Sequence, residues 1–174
     1  MSGTYSTHAA EFFFKKNNYF DGYAILAEDG FWLPYENGTS NKFLMFNLVN
    51  NSFATLLKCE PGAGLALHHH TAPVVGYCLQ GRWKYKEYDW VAEPGAFVYE
   101  PAGDSHTLEI LGDETMITLF HVMGPLIQLD ESGKQVGFVD AFGLLENATS
   151  EFKARGWDLS YLEKITLHAA SQPK

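Results

Sequence analysis

The stretch GLALHHHTAP, residues 64–73, sets three histidines in a row at His68, His69 and His70. Neighbouring side chains on a strand point to opposite faces of the sheet. If this stretch is a strand, His68 and His70 share a face and His69 points away. Two imidazoles on one face ask for a third partner. The best candidate lies downstream in GAFVYEPAGDSH, residues 95–106, which reads as a strand, a turn through Pro101 and Gly103, and His106 opening the next strand. Antiparallel pairing can bring such a residue opposite His68 and His70.

The sequence around these segments keeps a β rhythm. Short runs rich in Val, Leu, Phe, Tyr and Trp recur from Lys42 to about Thr118, broken by Gly, Pro, Asn and Asp. KFLMFNLV, then NNS, then FATLLKCE reads as a hairpin, and PVVGYCLQ, GRWKYKEYDW, GAFVYEP, SHTLEIL and TMITLFHVM read as further strands. LIQLDESGKQVGFVD reads as another hairpin. Such an even beat predicts a barrel or sandwich rather than a parallel sheet. Beyond Phe142 the period changes. Leu145, Ala148 and Phe152, then Leu159, Leu162 and Ile165, fall at helical intervals, with Gly156 to end the first helix and Asp158 to cap the second. The expected organisation is one domain: an N-terminal arm over about 1–40, a β-barrel over about 42–140, and helices over about 142–168 packed on its outside.

Composition narrows the partners. The chain has 174 residues, enough for one domain with a real core, and 46% of them are hydrophobic. Its formal charge of −9 would repel a phosphate backbone or an anionic membrane, so neither nucleic acid nor membrane is an expected partner. No apolar run approaches the ~20 residues that cross a bilayer. The start MSGTYSTHAAEFF lacks the pattern of a signal peptide, which points to the cytoplasm. Cys59 and Cys78 form no CxxC pair and read as two buried thiols in a reducing compartment. Without a secretory signal, the glycosylation patterns at Asn37 and Asn147 carry little weight.

Both histidine segments fit a known pair of motifs. GAGLALHHH has a Gly, five residues, then His-x-His, at Gly62, His68 and His70; Gly81 fits the glycine that closes this motif. GAFVYEPAGDSH has a Gly, five residues, Pro-x-Gly, two residues, then His, at Gly95, Pro101, Gly103 and His106. The chain thus resembles the cupins, all-β proteins of the jelly-roll or double-stranded β-helix type that hold a metal, and this resemblance implies His68, His70 and His106 as its ligands. One departure matters. The glutamate that usually follows His-x-His is replaced by Val74, or by Val75 if the spacing is read one longer. A set of three histidines keeps more open positions. Imidazole suits Fe, Zn, Cu and Ni, whereas Mn and Mg sites favour carboxylates. Fe(II) or Zn(II) is therefore favoured over Mn(II); of these Fe(II) is the expected cofactor, with Zn or Ni as alternatives.

Longer stretches, FATLLKCEPG, YCLQGRWKYKEYDWVAEPGAFVYEPAGDSHTL and TLFHVMGPLIQLDESGKQVGFVD with the helical tail, resemble the 2,4′-dihydroxyacetophenone dioxygenase family and cupins related to the ChrR anti-sigma factor. Acetylacetone dioxygenase is another three-histidine cupin of this kind. The resemblance implies an Fe(II) dioxygenase that uses O2 to cleave a C–C bond in a small ketone. Two other functions stay open: a non-catalytic zinc-binding cupin of the sensor type, and a zinc or nickel hydrolase or isomerase. A homodimer or homotetramer is expected, with the N-terminal arm covering a sheet edge.

The lining of the site is read from strand parity. In RWKYKEYDW, Trp83 and Tyr85 share one face and Lys84 and Lys86 the other, so the two aromatics are expected to face the interior and to contact substrate. Phe97 and Tyr99 share a face of the next strand and are expected to do the same. Glu100, beside Pro101, is the candidate carboxylate for proton handling together with Tyr85, and Glu87 is the other acid near the motif. His69, His121, His8 and His168 are expected outside the centre.

Overall fold

The computed structural model of the chain describes residues 22–167. Most of the expected N-terminal arm, with His8, and His168 at the other end lie outside the described residues. The chain runs through β1 (Leu33–Pro34), β2 (Thr39–Asn47), β3 (Ser52–Cys59), β4 (Gly64–His70), β5 (Val74–Gln80) and β6 (Arg82–Tyr85). Then follow β7 (Phe97–Glu100), β8 (Ser105–Leu111), β9 (Met116–Val122), β10 (Leu126–Leu129) and β11 (Gln135–Val139). Two helices, α1 (Ala141–Arg155) and α2 (Ser160–Ile165), lead into β12 (Thr166–Leu167).

Period-2 alternation builds the strands. In β8, His106, Leu108 and Ile110 are buried and the residues between them are partly exposed; in β9 the buried set is Met116, Thr118, Phe120 and Val122. The strands form two sheets. One has the order β1-β2-β3-β9-β5-β7, with β12 added parallel to β2; the other has the order β11-β10-β4-β8-β6. Pairings such as β3 with β9 and β4 with β8 join strands far apart in sequence, which is the jelly-roll crossover. The sheets are not joined by strand pairing into one closed barrel. They pack face to face, and the indole of Trp83 on β6 meets the ring of Phe120 on β9 at 5.7 Å between centroids.

Turns obey the backbone. Gly81 joins β5 to β6 with φ 73°, and a Cβ there would lie 2.8 Å from the Met116 Cα, so the closing glycine of the first motif is held by both conformation and space. The helices follow expectation at their first junction. Asp140 caps α1 by accepting from the Gly143 amide, and Gly156 ends it in the left-handed conformation. The second helix is shorter than its apolar spacing predicted. Asp158 takes the Ser160 amide at 2.9 Å, but Leu159 holds the cap position, and after Ile165 the chain turns extended to pair with Phe46 and Asn47 of β2. An aromatic cluster fastens the helices: Phe31 stacks on Trp157 at 4.7 Å and meets Phe152 edge-on at 5.1 Å. Cys59 and Cys78 are free and buried.

Candidate metal centre

β4 and β8 carry the histidines. They pair antiparallel with His68 opposite His106, and parity brings His70 to the same side. One ring nitrogen from each of His68, His70 and His106 falls within 4.8 Å of the others, and all three residues are buried. The tandem histidines thus divide as the alternation predicts. His69 turns outward and its Nδ1 meets the Ser105 hydroxyl at 2.8 Å. His121 lies on β9 in register with Val75, also outside the cluster.

Two of the three rings are oriented from behind. His68 Nδ1 meets the Ala66 carbonyl at 2.8 Å, and His106 Nδ1 meets a carboxylate oxygen of Asp104 at 3.2 Å. Both contacts leave Nε2 free to face the cluster. Asp104 is in turn held by the Tyr88 hydroxyl, which donates to it at 2.9 Å. The phenol ring of Tyr85 stacks on His106, 3.5 Å between centroids.

A carboxylate completes the group. Glu100, at the end of β7, is 2% exposed, and its Oε2 lies 3.0 Å from His70 Nε2 and 3.5 Å from His106 Nε2. Its Oε1 accepts from the Tyr85 hydroxyl at 2.5 Å. In the sheet, Glu100 is paired with Val74. An acid thus stands beside the histidines from the position paired with Val74 in the neighbouring strand.

The donor set fits a divalent cation. His70 Nε2 and His106 Nε2 stand 3.1 Å apart in a buried space, and Glu100 Oε2 faces both without an aligned hydrogen-bond donor of its own. Without a cation these three atoms must share protons among themselves; a cation among them would take all three as ligands. Electrostatics agree. Burial lowers the His68 pKa to about 4, reinforced by the neighbouring His70 and His106 against the pull of the Ala66 carbonyl, so its imidazole is neutral and able to ligate at pH 7. Burial alone would raise the Glu100 pKa, but His106, His70 and Tyr85 against it outweigh burial and hold it at about 2. Tyr85 moves the other way, well above the ordinary phenol, through burial and the Glu100 charge.

A cavity of about 530 Å3 opens beside the cluster, within the size range of small-molecule sites. Its wall includes His68, His70, Tyr85 and Glu100, apolar side chains from both sheets, and Leu144 and Asn147 of α1. The helical tail, expected on the outside, therefore forms part of the rim.

Three expected substrate contacts do not line the cavity. Trp83 is fully buried, but it packs in the core between Tyr85, Trp90 and Phe120 and does not line the cavity. Phe97 and Tyr99 point outward, 67% and 58% exposed, because Val98 and Glu100 are the inward pair of β7. The expected parity followed hydrophobicity, whereas the buried acid inverts it. Tyr77 and Gln80 also stay outside, Tyr77 being 45% exposed and Gln80 donating to the Thr115 carbonyl. Glu87 takes the Thr107 amide at the surface. Asp104, unremarked in the sequence, had one available signal: an acid two residues before a candidate ligand, in the turn that precedes it.

Comparison with known proteins agrees with this geometry. Residues 23–127, more than half of the chain, match the family model described as the ChrR cupin-like domain. An RmlC-like cupin protein from Ralstonia eutropha JMP134 is 31% identical, covers 80% of this chain and 92% of its own, and superposes with a TM-score of 0.75. An acetylacetone dioxygenase from Acinetobacter johnsonii is 16% identical, covering 86% and 96% of the two chains at a TM-score of 0.65. A putative acetylacetone dioxygenase from Methylibium petroleiphilum PM1 is 17% identical, covering 71% and 91% at 0.64. At those identities the two dioxygenases share the fold. No protein of curated function matches the chain. Two-motif spacing, sheet topology and the family match together place this chain in the ChrR cupin-like domain family.

Proposed function

We propose that this protein is an Fe(II)-dependent dioxygenase that cleaves a C–C bond in a small ketone. The observation that carries the reading is the set of three buried histidines, two of them at the wall of a largely apolar cavity, with an ionised carboxylate within hydrogen-bond reach of His70 and His106. His68, His70 and His106 would hold the metal. Bound Fe(II) supplies the one-electron chemistry that O2 demands. The chain's own residues do the rest. Glu100, ionised at neutral pH, takes the proton from the carbon next to the carbonyl, and the Tyr85 hydroxyl, which donates to Glu100, fixes its direction. Asp104 and the Ala66 carbonyl hold two imidazoles in their tautomers. The apolar walls exclude water. For an α-hydroxyketone the overall change is balanced: R–CO–CH2OH and O2 give R–COOH and HCOOH.

The test is anaerobic loading with Fe(II), then oxygen-electrode assays with β-diketones and hydroxyacetophenones, with acid products identified. Stoichiometric oxygen uptake and carboxylic acid release support the reading. A fully loaded protein that consumes no oxygen with any of these ketones overturns it.

A second reading has a specific observation behind it. Three histidines with Glu100 as a fourth donor would match a closed tetrahedral zinc site, which holds metal without turnover. Zinc that survives prolonged dialysis against chelator, in protein inert towards ketones and O2, would favour it.

A further inference from the structure

The metal centre lies between the two sheets, and the outer face of the larger sheet turns away from it. Strand register sets Phe97 of β7 opposite Tyr77 of β5, and Tyr77 opposite Leu119 of β9; the next row is Tyr99, Val75 and His121. Alternate residues share a face, so these six lie side by side, with Leu79 continuing the row on β5. None carries a charge: burial holds the His121 ring below the ordinary imidazole value, so it is neutral at pH 7. Crossing the sheet towards β3, the first charged group on this face is Lys58. It is already engaged by the Trp32 ring at 5.1 Å and by Glu60 at 3.8 Å.

Phe97, Tyr99, Tyr77 and Leu79 are exposed, and nothing among the described residues covers them. Taking about 200 Å2 per aromatic side chain, the bare parts of Phe97, Tyr99 and Tyr77 alone amount to about 340 Å2. Contiguous apolar patches of this size on a folded protein mark contact sites. A stable pair needs about 800 Å2 from each partner, so three rings supply about two-fifths of one side. The edge beside them is poorly suited to strand addition. β7 is four residues long and lies between Pro94 and Pro101, so it offers little free ladder. Contact here is therefore face to face.

We propose that two copies of this chain dock through this face about a two-fold axis, with Phe97, Tyr99, Tyr77 and Leu79 of each packed against the same residues of the other. Charge selects the occupant. The chain carries a formal charge of −9, so two copies repel wherever acidic surfaces meet, and a face without charged side chains lets them approach. An isologous contact asks only that a patch complement itself, and rings with no fixed charge meet that condition. A strongly charged partner would find no counter-charge here. The pairing leaves the metal centre untouched, because Val74 and Glu100, the residues of β5 and β7 that line the cavity, point to the opposite face.

Light scattering of the full chain, from low micromolar to near-millimolar concentration, tests this. The wild type should run as an even assembly, at the least a pair of about 39 kDa, twice the 19.5 kDa of one chain. Tyr77→Glu should halve that mass and weaken association about 100-fold or more, since the two-fold would bury two unpaired carboxylates. Circular dichroism and an unchanged metal stoichiometry establish that this variant is folded. Leu79→Gln is the milder change and should weaken association about 10-fold. Phe138→Glu, on exposed strand β11 of the other sheet, should keep the wild-type mass. A wild type that stays monomeric throughout, an assembly that survives Tyr77→Glu, or one that Phe138→Glu breaks overturns the proposal. In a monomer, hydroxyl-radical footprinting names the other occupant: if Tyr77 and Tyr99 are shielded there, residues 1–21 of the same chain cover the face.

Discussion

Replacing Glu100 by glutamine tests the centre most directly. The side chain is 2% exposed, so solvent screens its interactions little. Its partners hold the carboxyl at about 2 instead of the ordinary 4.5. Each pH unit of displacement is worth about 1.36 kcal/mol, so the ionised form gains about 3 kcal/mol in the folded state. The sign follows from a depressed acid. The stabilisation is complete above pH 4.5 and is lost as the pH falls towards 2. Metal-free Glu100→Gln should therefore be up to about 3 kcal/mol less stable at pH 7, with a gap that narrows below pH 4.5. Urea denaturation in excess chelator measures this. Loaded with Fe(II), the same variant distinguishes the two roles of the carboxylate. A proton acceptor costs a factor of about 10²–10⁴ in turnover with metal content nearly unchanged. A fourth ligand costs metal affinity first. A metal-free variant as stable as the wild type at pH 7 would refute the account of Glu100 as a held anion.

Three other predictions bear on the surroundings. Asp104→Asn should weaken metal binding about 10–100-fold without touching the metal, because the carboxylate only orients His106; chelator competition measures it. Metal-free protein should lose about 3 kcal/mol between pH 6.5 and pH 4, since the depressed pKa of His68 favours the neutral ring and protonation must unfold or expel it; urea midpoints across that window give the slope. Phe97→Asp with Tyr99→Asp should leave metal content and ketone binding intact, since both side chains point away from the cavity. If their exposed face on edge strand β7 joins two copies, light scattering will show the variant as a monomer and the wild type as a dimer.

The sequence made the β architecture and the three histidines legible because each rests on one rule, the period of 2. His68 and His70 separate from His69 by that rule alone, and the Gly-Pro-Gly turn puts His106 opposite them. On β7 the alternation held, but the face taken as inward was the wrong one. FVYE offers Phe97 and Tyr99 as the apolar pair, and only the buried cluster explains why Val98 and Glu100 face inward instead. Functional sites are where hydrophobic patterning is expected to break. The buried carboxylate was hidden for a related reason. Val74 reads as a loss along the chain, yet Glu100 faces it across the sheet, and pairing register is not written in either segment. Trp83 shows the opposite error: its parity was right, but facing inward placed it in the packed core rather than at the cavity wall. The cavity wall draws on Tyr35, Asn41, Thr55 and Asn147, four segments that no local motif connects.

The docking of α1 has its own consequence. Leu144 and Asn147 form part of the cavity wall, while Asp140 at the head of the same helix is tied to the β2–β3 turn through Asn51, whose Oδ1 takes the Ala141 amide at 2.9 Å. The tail is thus a door-frame rather than an appendage. Whatever fills the chamber also braces the C-terminal helix, and clipping the chain after β11 would leave the jelly roll with one side of its room standing open.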